Sequence, residues 1–311
     1  MKKVLLILTA ALAVAIGALA YSFAPVALEV SAVPPVEIPS ARPPAGMRIA
    51  VLHAGKMLSK AGFAYRGGNL AEPRDFGMAA ILVRHPKGNL LFDAGFGSRV
   101  DEHFKTIPPL MQRLSTYEKE ATVAQQLSAA GIAPESLMGV VLTHAHWDHV
   151  SGLEDLPGVP VWVTQAELDF IHSGDEGAAL ARSLGALDYQ VYAFNGGPYL
   201  GFERSFDMFG DGSVVLVPTP GHTPGSIIAF IALPDGQRYA LIGDLVWQRE
   251  AVEIPAERPW LSSRLVDNDR AQVRHWIVRM HHLSRQVPGL VVVPAHDRRV
   301  LETLPALPEA N

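Results

Sequence analysis

The sequence predicts an α/β sandwich: two mixed β-sheets packed face to face, with helices outside. Three observations predict it. Short apolar strands alternate with helical patterns along the chain, and hairpin signals with their turn residues in place occur in both halves. In addition, His144, His222, Asp244 and His296 each stand a few residues past the C-terminal end of a hydrophobic strand. Loops at one edge of a sheet assembly are where separate strands converge side chains on a single point.

At the N-terminus, Lys2-Lys3 precede an apolar stretch over residues 4–20 that ends in Ala18-Leu19-Ala20, a small-x-small site of the kind a signal peptidase accepts. Residues 1–20 are therefore expected to be a signal peptide or, since the run is about as long as a short spanning helix, an uncleaved anchor. With no cysteine there is no lipid attachment. Either form places the folded part outside the cytoplasm, periplasmic or secreted, and the second holds it to the membrane. Residues 21–46 contain Pro25, Pro34, Pro35, Pro39, Pro43 and Pro44 with little periodicity, which predicts an extended tether. One folded domain is expected over 47–311.

Residues 47–52 alternate as a strand, with His53 at its end read as structural. Residues 54–76 are mixed, with Gly62, Phe63, Tyr65 and Gly67-Gly68, and fit a loop over a pocket. Residues 78–84 and 89–92 read as strands joined by Pro86-Lys87-Gly88. Asp93, at the second strand's end, is either a carboxylate that orients a metal-binding histidine or an ordinary turn aspartate. Residues 99–114, with Phe104, Ile107, Leu110 and Met111 around Pro108-Pro109, fit a flap. Residues 115–131 are predicted helical from a Ser115/Glu118 capping box, helical spacing and a stop at Gly131. Val140-Val141-Leu142 then reads as a buried strand, 160–164 as another, and 165–186 as two helices broken near Gly174. The strand at 214–217 runs into Pro218-Thr219-Pro220-Gly221-His222-Thr223-Pro224-Gly225. Residues 226–233 and 238–242 pair through Asp235-Gly236, and the second ends in Gly243-Asp244. Residues 268–286 form a long amphipathic helix whose His275, His281 and His282 read as surface or core residues. Residues 290–293 form a strand ending in Pro294-Ala295-His296-Asp297.

The densest chemistry lies in Thr143-His144-Ala145-His146-Trp147-Asp148-His149, directly after a strand. Extended backbone aims His144 and His146, two apart, at one point. Asp148 and His149 fall where the chain turns, into a helix, and can face a second centre, so one loop can supply two adjacent metals. Since the chain has no cysteine, disulfides, thiolate nucleophiles and Cys-ligated zinc are excluded, and a metal site must use histidines and carboxylates. A formal charge of -5, 18% charged residues and no basic run predict no nucleic-acid partner.

His144-x-His146-x-Asp148-His149, the Pro-Gly-His222-Thr-Pro-Gly turn, Gly243-Asp244 and the strand-terminal His296 together resemble the metallo-β-lactamase superfamily, over about residues 47–297. The resemblance implies an αββα sandwich with a dinuclear centre. His144, His146 and His222 would hold the first metal, Asp148, His149 and His296 the second, and Asp244 would bridge both. Five imidazoles and two carboxylates suit two Zn2+ ions, with iron or manganese as the other candidates. Two nearby cations lower the pKa of a shared water, giving a hydroxide that attacks a carbonyl or phosphoryl centre, with Asp148 placed to shuttle the proton.

Within the superfamily the ligand set discriminates. True β-lactamases usually carry Cys or Ser where Asp244 stands, and the di-iron branch usually has Glu where this chain has His146. The chain resembles the N-acyl homoserine lactonase branch in Arg84-His85-Pro86-Lys87-Gly88 through Leu91-Phe92-Asp93, in Phe206-Asp207-Met208-Phe209-Gly210-Asp211-Gly212-Ser213, and in the Pro-Gly-His222 turn. It departs at Trp247, three residues after Asp244, where those lactonases commonly place a Tyr that helps to hold the substrate carbonyl; Trp has only an N–H donor. The expected function is an exported zinc-dependent hydrolase opening a small-molecule lactone or ester. A phosphotriesterase or thioester hydrolase, and a metal-binding module without catalysis, are the alternatives.

Overall fold

The computed structural model describes residues 2–307. Met1 of the expected export segment and residues 308–311 of the expected domain lie outside them. In chain order, the first half contains α1 (Lys2–Phe23), β1 (Arg48–Lys60), α2 (Ala61–Ala64), β2 (Pro73–His85), β3 (Gly88–Phe92), α3 (Val100–His103), α4 (Pro109–Leu114), β4 (Thr116–Lys119), α5 (Val123–Ala129), β5 (Leu137–Val141) and α6 (Trp147–Val150). The second half contains β6 (Val161–Thr164), α7 (Gln165–His172), α8 (Ala179–Ser183), β7 (Tyr189–Tyr192), β8 (Phe206–Asp207), β9 (Val214–Pro218), β10 (Ile227–Ala232), β11 (Arg238–Leu241), α9 (Glu250–Glu253), α10 (Trp260–Val266), α11 (Arg270–Gln286), β12 (Leu290–Val293) and α12 (Arg298–Leu301).

The strands form two mixed sheets, in the orders β4-β1-β2-β3-β5-β6-β7 and β12-β11-β10-β9-β8. The first is antiparallel through β3 and parallel from β3 to β7. The second is antiparallel except where β12 joins β11. Side chains alternate between two apolar layers, as the pleat requires. Val83, Leu90 and Phe92 meet Leu216, Ile227 and Ala229 between the sheets. On the outer face of the first sheet Leu82, Leu91 and Val140 pack with Val123 and Leu127 of α5, and on the outer face of the second Val215, Val217 and Ile228 pack with Val273, Ile277 and Met280 of α11. Both faces of each sheet are buried, which explains the nearly continuous apolar runs and gives the expected αββα sandwich. Each of the Val, Leu, Ile, Phe and Met side chains among them contributes about 1.5–3 kcal/mol when buried.

Three expectations are corrected. The first strand does not stop at residue 52: β1 runs to Lys60, and residues 54–76 supply its second half, α2 and the start of β2 rather than a loop. A register shift between His53 and Gly55 changes the phase of the alternation there, so one strand reads as two patterns. Residues 115–131 are not one helix. Thr116–Lys119 pairs with the edge of β1 as β4, satisfying backbone groups that would otherwise stay open. The helix starts later, at a Thr122/Gln125 capping box. The sequence reading also missed β7, β8, α9 and α10, which are short and take their stability from packing. Residues 24–44 carry no helix or strand and lie along the sandwich, with Leu28 N donating to Pro255 O, Val36 N to Gln286 Oε1 and Arg42 N to Asp211 O.

Candidate metal centre

The C-terminal ends of β5, β9, β11 and β12 reach one edge of the sandwich, and the loops that leave them carry all seven expected residues. His144 and His146 follow β5, with Asp148 and His149 in the first turn of α6; Trp147, packed against Phe96 and Phe104, holds that turn to the core. His222 follows β9, Asp244 follows β11, and His296 follows β12.

Their donor atoms converge. One atom from each of His144, His146 and His222 lies within 4.8 Å of the others, as do those of His144, His149 and Asp244, and those of Asp148, His149 and His296. Asp244 is common ground: its Oδ1 is 3.2 Å from His149 Nε2 and 3.0 Å from His296 Nε2, and its Oδ2 is 3.5 Å from His222 Nε2. Asp148 Oδ2 lies 3.4 Å from His296 Nε2. His144, His149, His222, Asp244 and His296 are buried, whereas His146 and Asp148 are partly open to the cleft.

Four of the imidazoles are oriented through their other nitrogen. Nδ1 of His149 faces Asp93 Oδ2 at 2.8 Å, Nδ1 of His222 faces Asp267 Oδ1 at 2.9 Å, Nδ1 of His296 faces Gly77 O at 2.8 Å, and Nδ1 of His144 faces Thr143 Oγ1 at 3.1 Å. A carboxylate or carbonyl can only accept, so it fixes the Nδ1–H tautomer and turns the Nε2 lone pair inward. Inward, among the described residues, no hydrogen-bond donor is aligned on His144 Nε2, His222 Nε2 or Asp244 Oδ1, all buried, and the atoms nearest Asp244 Oδ1 are the Nε2 atoms of His149 and His296. Buried acceptors without donors are costly, and acceptors aimed at common points fit cations.

The protein's own charges respond to this crowding. Burial, with the neighbouring imidazoles His149 and His222, pushes His144 well below the ordinary range, and burial with His222 does the same to His146. Burial also opposes charge on His149, but Asp93, Asp244 and Asp148 outweigh it and hold that ring well above its usual value. Asp244 would be raised by burial, yet His296 and His149 hold it well below the carboxylate range.

Asp93 takes the orienting role open to it in the sequence. It sits at φ 59° and accepts from Thr143 N at 2.7 Å and Thr143 Oγ1 at 2.8 Å besides His149. Asp93→Asn is expected to weaken metal binding by roughly 10- to 100-fold, the usual cost of losing such a partner; chelator competition would measure it, and unchanged affinity would remove Asp93 from the site.

Sequence reasoning missed three supports. Asp267 joins His222 to the fully buried Arg258, whose Nη1 donates to Asp267 Oδ1 at 2.9 Å and whose Nη2 donates to Asp244 O. Trp247 Nε1 donates to Asp244 Oδ2 at 2.7 Å, and its ring lies 4.5 Å from the Arg258 guanidinium carbon. Glu167, in a Thr164-x-x-Glu167 pattern that reads as a helix cap, instead accepts from Ala145 N, Thr223 Oγ1 and Gly225 N. The centre opens into a cleft of about 480 Å³ walled by Met57, Phe76, Met78, Ile107, Met111 and Trp247. Of the expected flap, Ile107, Pro108 and Met111 face this cleft, while Phe104 packs on Tyr117 and Trp147.

Comparison with known proteins agrees with this architecture. Residues 74–296 match the family model of the metallo-beta-lactamase superfamily. A probable metallo-hydrolase of Mycobacterium tuberculosis is 30% identical over 245 residues, covering 71% of this chain and 76% of the relative. The N-acyl homoserine lactonase AttM of Agrobacterium fabrum is 24% identical over 190 residues, covering 59% and 70%. A solved N-acyl homoserine lactone hydrolase with N-hexanoyl-L-homoserine at its catalytic metal centre superposes with a TM-score of 0.66 at 17% identity, over 84% of this chain and 98% of that one. AidC, a dizinc quorum-quenching lactonase, superposes with a TM-score of 0.55 at 15% identity, over 84% and 90%. With the sandwich, the strand-end histidines and the matched family model in agreement, the chain belongs to the metallo-beta-lactamase superfamily.

Proposed function

We propose that this chain is an exported, dinuclear metal-dependent hydrolase acting on a lactone or related carboxylic ester. The observation that carries the reading is the set of buried, inward-facing acceptors with no aligned hydrogen-bond donor among the described residues: His144 Nε2, His222 Nε2 and Asp244 Oδ1. In this reading His144, His146 and His222 would hold one Zn2+ and Asp148, His149 and His296 the other, with Asp244 a further ligand that both groups of residues approach. When bound, the two cations would acidify a water and polarise the scissile carbonyl.

The chain's own residues do the remaining work. Asp93, Asp267 and Gly77 O hold protons on the Nδ1 atoms and keep the rings in place. Asp148, partly open to the cleft, is placed to take a proton at a carboxylate oxygen and return it to the leaving oxygen. The methionines, Phe76 and Ile107 offer an acyl chain an apolar wall and displace water from it.

Similarity to metallo-hydrolase and lactonase relatives supports this reading. The test is turnover of a long-chain N-acyl homoserine lactone by zinc-loaded protein beside Asp148→Asn. We expect a loss of roughly 10²- to 10⁴-fold in the variant, the range for removal of a positioned acid–base group; equal rates would sink the role of Asp148.

One observation favours the alternative substrate class. Trp247 Nε1–H is engaged by Asp244 Oδ2, so no donor stands free where lactonases of this type place a Tyr hydroxyl. A phosphotriester has no carbonyl for such a hydroxyl to hold, and parallel rates on lactone and phosphotriester substrates decide between them.

A further inference from the structure

We propose that the face around the root of α1, bearing Leu70, Ile254 and Trp260, docks on the lipid bilayer that α1 enters, and so holds the mouth of the cleft at the membrane surface. At about 1.5 Å per residue α1 is long enough to cross a hydrocarbon core of about 30 Å. It is apolar, with a mean hydropathy of 2.5, and is exposed from Lys2 to Tyr21.

Its C-terminal end is seated on the domain rather than hung from a loose linker. The buried Arg66 donates through Nη2 to Tyr21 O at 2.9 Å and through Nε to Ala24 O at 3.2 Å, closing carbonyls that a helix end leaves open. Its guanidinium lies 5.2 Å from the Tyr21 ring centre and 3.5 Å from Glu257 Oε1. Gly67 N donates to Phe23 O at 3.0 Å, and the Phe23 ring meets Phe63 edge-on at 5.8 Å. The helix therefore leaves the domain in one direction, and the bilayer it enters must lie against the face beside its root.

That face carries large apolar side chains that the domain does not cover. Trp260 is 50% exposed, Ile254 54% and Leu70 47%. All three border the seat: Trp260 opens α10, which packs on α1; Ile254 precedes Pro255, whose carbonyl accepts from Leu28 N; and Leu70 covers the backbone of Gly62, next to Phe63. A tryptophan beside the end of a spanning helix suits the headgroup region, where its ring is half apolar and its N–H remains wet.

The other end of α10 reaches the cleft, which Arg264, Leu265 and Val266 line, so the mouth lies one short helix, about 10 Å, from Trp260. The flap that lines the same cleft exposes Leu110 and Leu114. On the hydrolase reading, and only on it, the cleft then receives amphiphilic esters or lactones from the bilayer surface, acyl chain first.

The test does not depend on turnover. The full chain is reconstituted into phosphatidylcholine vesicles with plain or dibrominated acyl chains, and tryptophan emission is compared after flotation. α1 contains no tryptophan, so bromine quenching reports the domain face and not the anchor. We expect the protein to float, its emission to be quenched by the brominated lipid, and Trp260→Phe to float equally while losing most of the quenching. Protein that does not float, floating protein with equal emission in both lipids, or quenching unchanged in Trp260→Phe would each overturn the proposal.

Discussion

Under the proposed dinuclear reading, replacing Asp244 by alanine is expected to cost the protein at least one of two metals and nearly all of its turnover. Asp244 is buried and lies within 3.5 Å of Nε2 atoms from three imidazoles, on both of its oxygens. Removing one partner of a buried charged set leaves the rest uncompensated, at about 3–5 kcal/mol. If it falls on metal binding, that energy corresponds to a loss in affinity of roughly a hundredfold to several thousandfold. Asp244→Asn separates charge from shape, because it keeps an acceptor for Trp247 but removes the anion. Mass-spectrometric metal analysis and kcat/KM on the same preparations measure both effects. Two tightly held metals with full activity in Asp244→Ala would refute the site assignment.

The sequence revealed those parts of the site that share a local pattern. His144-x-His146-x-Asp148-His149 is legible because one loop carries four donors, and His222, Asp244 and His296 because each ends a short β-branched or aliphatic strand. Asp93 stayed open between an orienting carboxylate and a turn aspartate, because its place at a strand end does not show which ring it meets. Glu167, Asp267 and Arg258 were not legible, since their partners are contributed by remote segments: Glu167 meets the backbone of Ala145 and Gly225, which carries no side-chain signal. In the fold, the layers were legible from apolar runs buried on both faces. The length of β1 was hidden by the register shift at His53/Gly55, because a shift of one residue reverses which side chains face which layer. The sequence Ser115-Thr-Tyr-Glu118 fits a helix cap and an edge strand equally well. The open edge of β1, which no local window contains, decides for the strand.

Glu167→Ala is expected to destabilise the protein as strongly as any single change distant from the cleft. Glu167 is 1% exposed. Its Oε1 accepts from Ala145 N at 2.5 Å, and its Oε2 accepts from Thr223 Oγ1 at 2.7 Å and Gly225 N at 3.0 Å. It thereby ties the loop between His144 and His146 to the turn that carries His222. Truncation leaves three buried donors without an acceptor, at about 1–3 kcal/mol each. At about 2–4 °C per kcal/mol, a fall in Tm on the order of 10 °C follows. Burial pushes the Glu167 carboxyl up to about 7, against the pull of its three donors. A folded pKa above the unfolded one means that the group's contribution is complete below the unfolded value and is lost as pH rises through the folded value. In metal-free protein, stability should therefore decline from about pH 4.5 to beyond pH 7, and Glu167→Gln should lack that decline. The amide does not restore the site, because its NH2 group must face an N–H donor of Ala145 or Gly225. Calorimetry across this pH range, with chelator competition at pH 7, measures both consequences. A Glu167→Ala protein that melts with the wild type and binds metal equally well would show that the two ligand loops hold their positions without it.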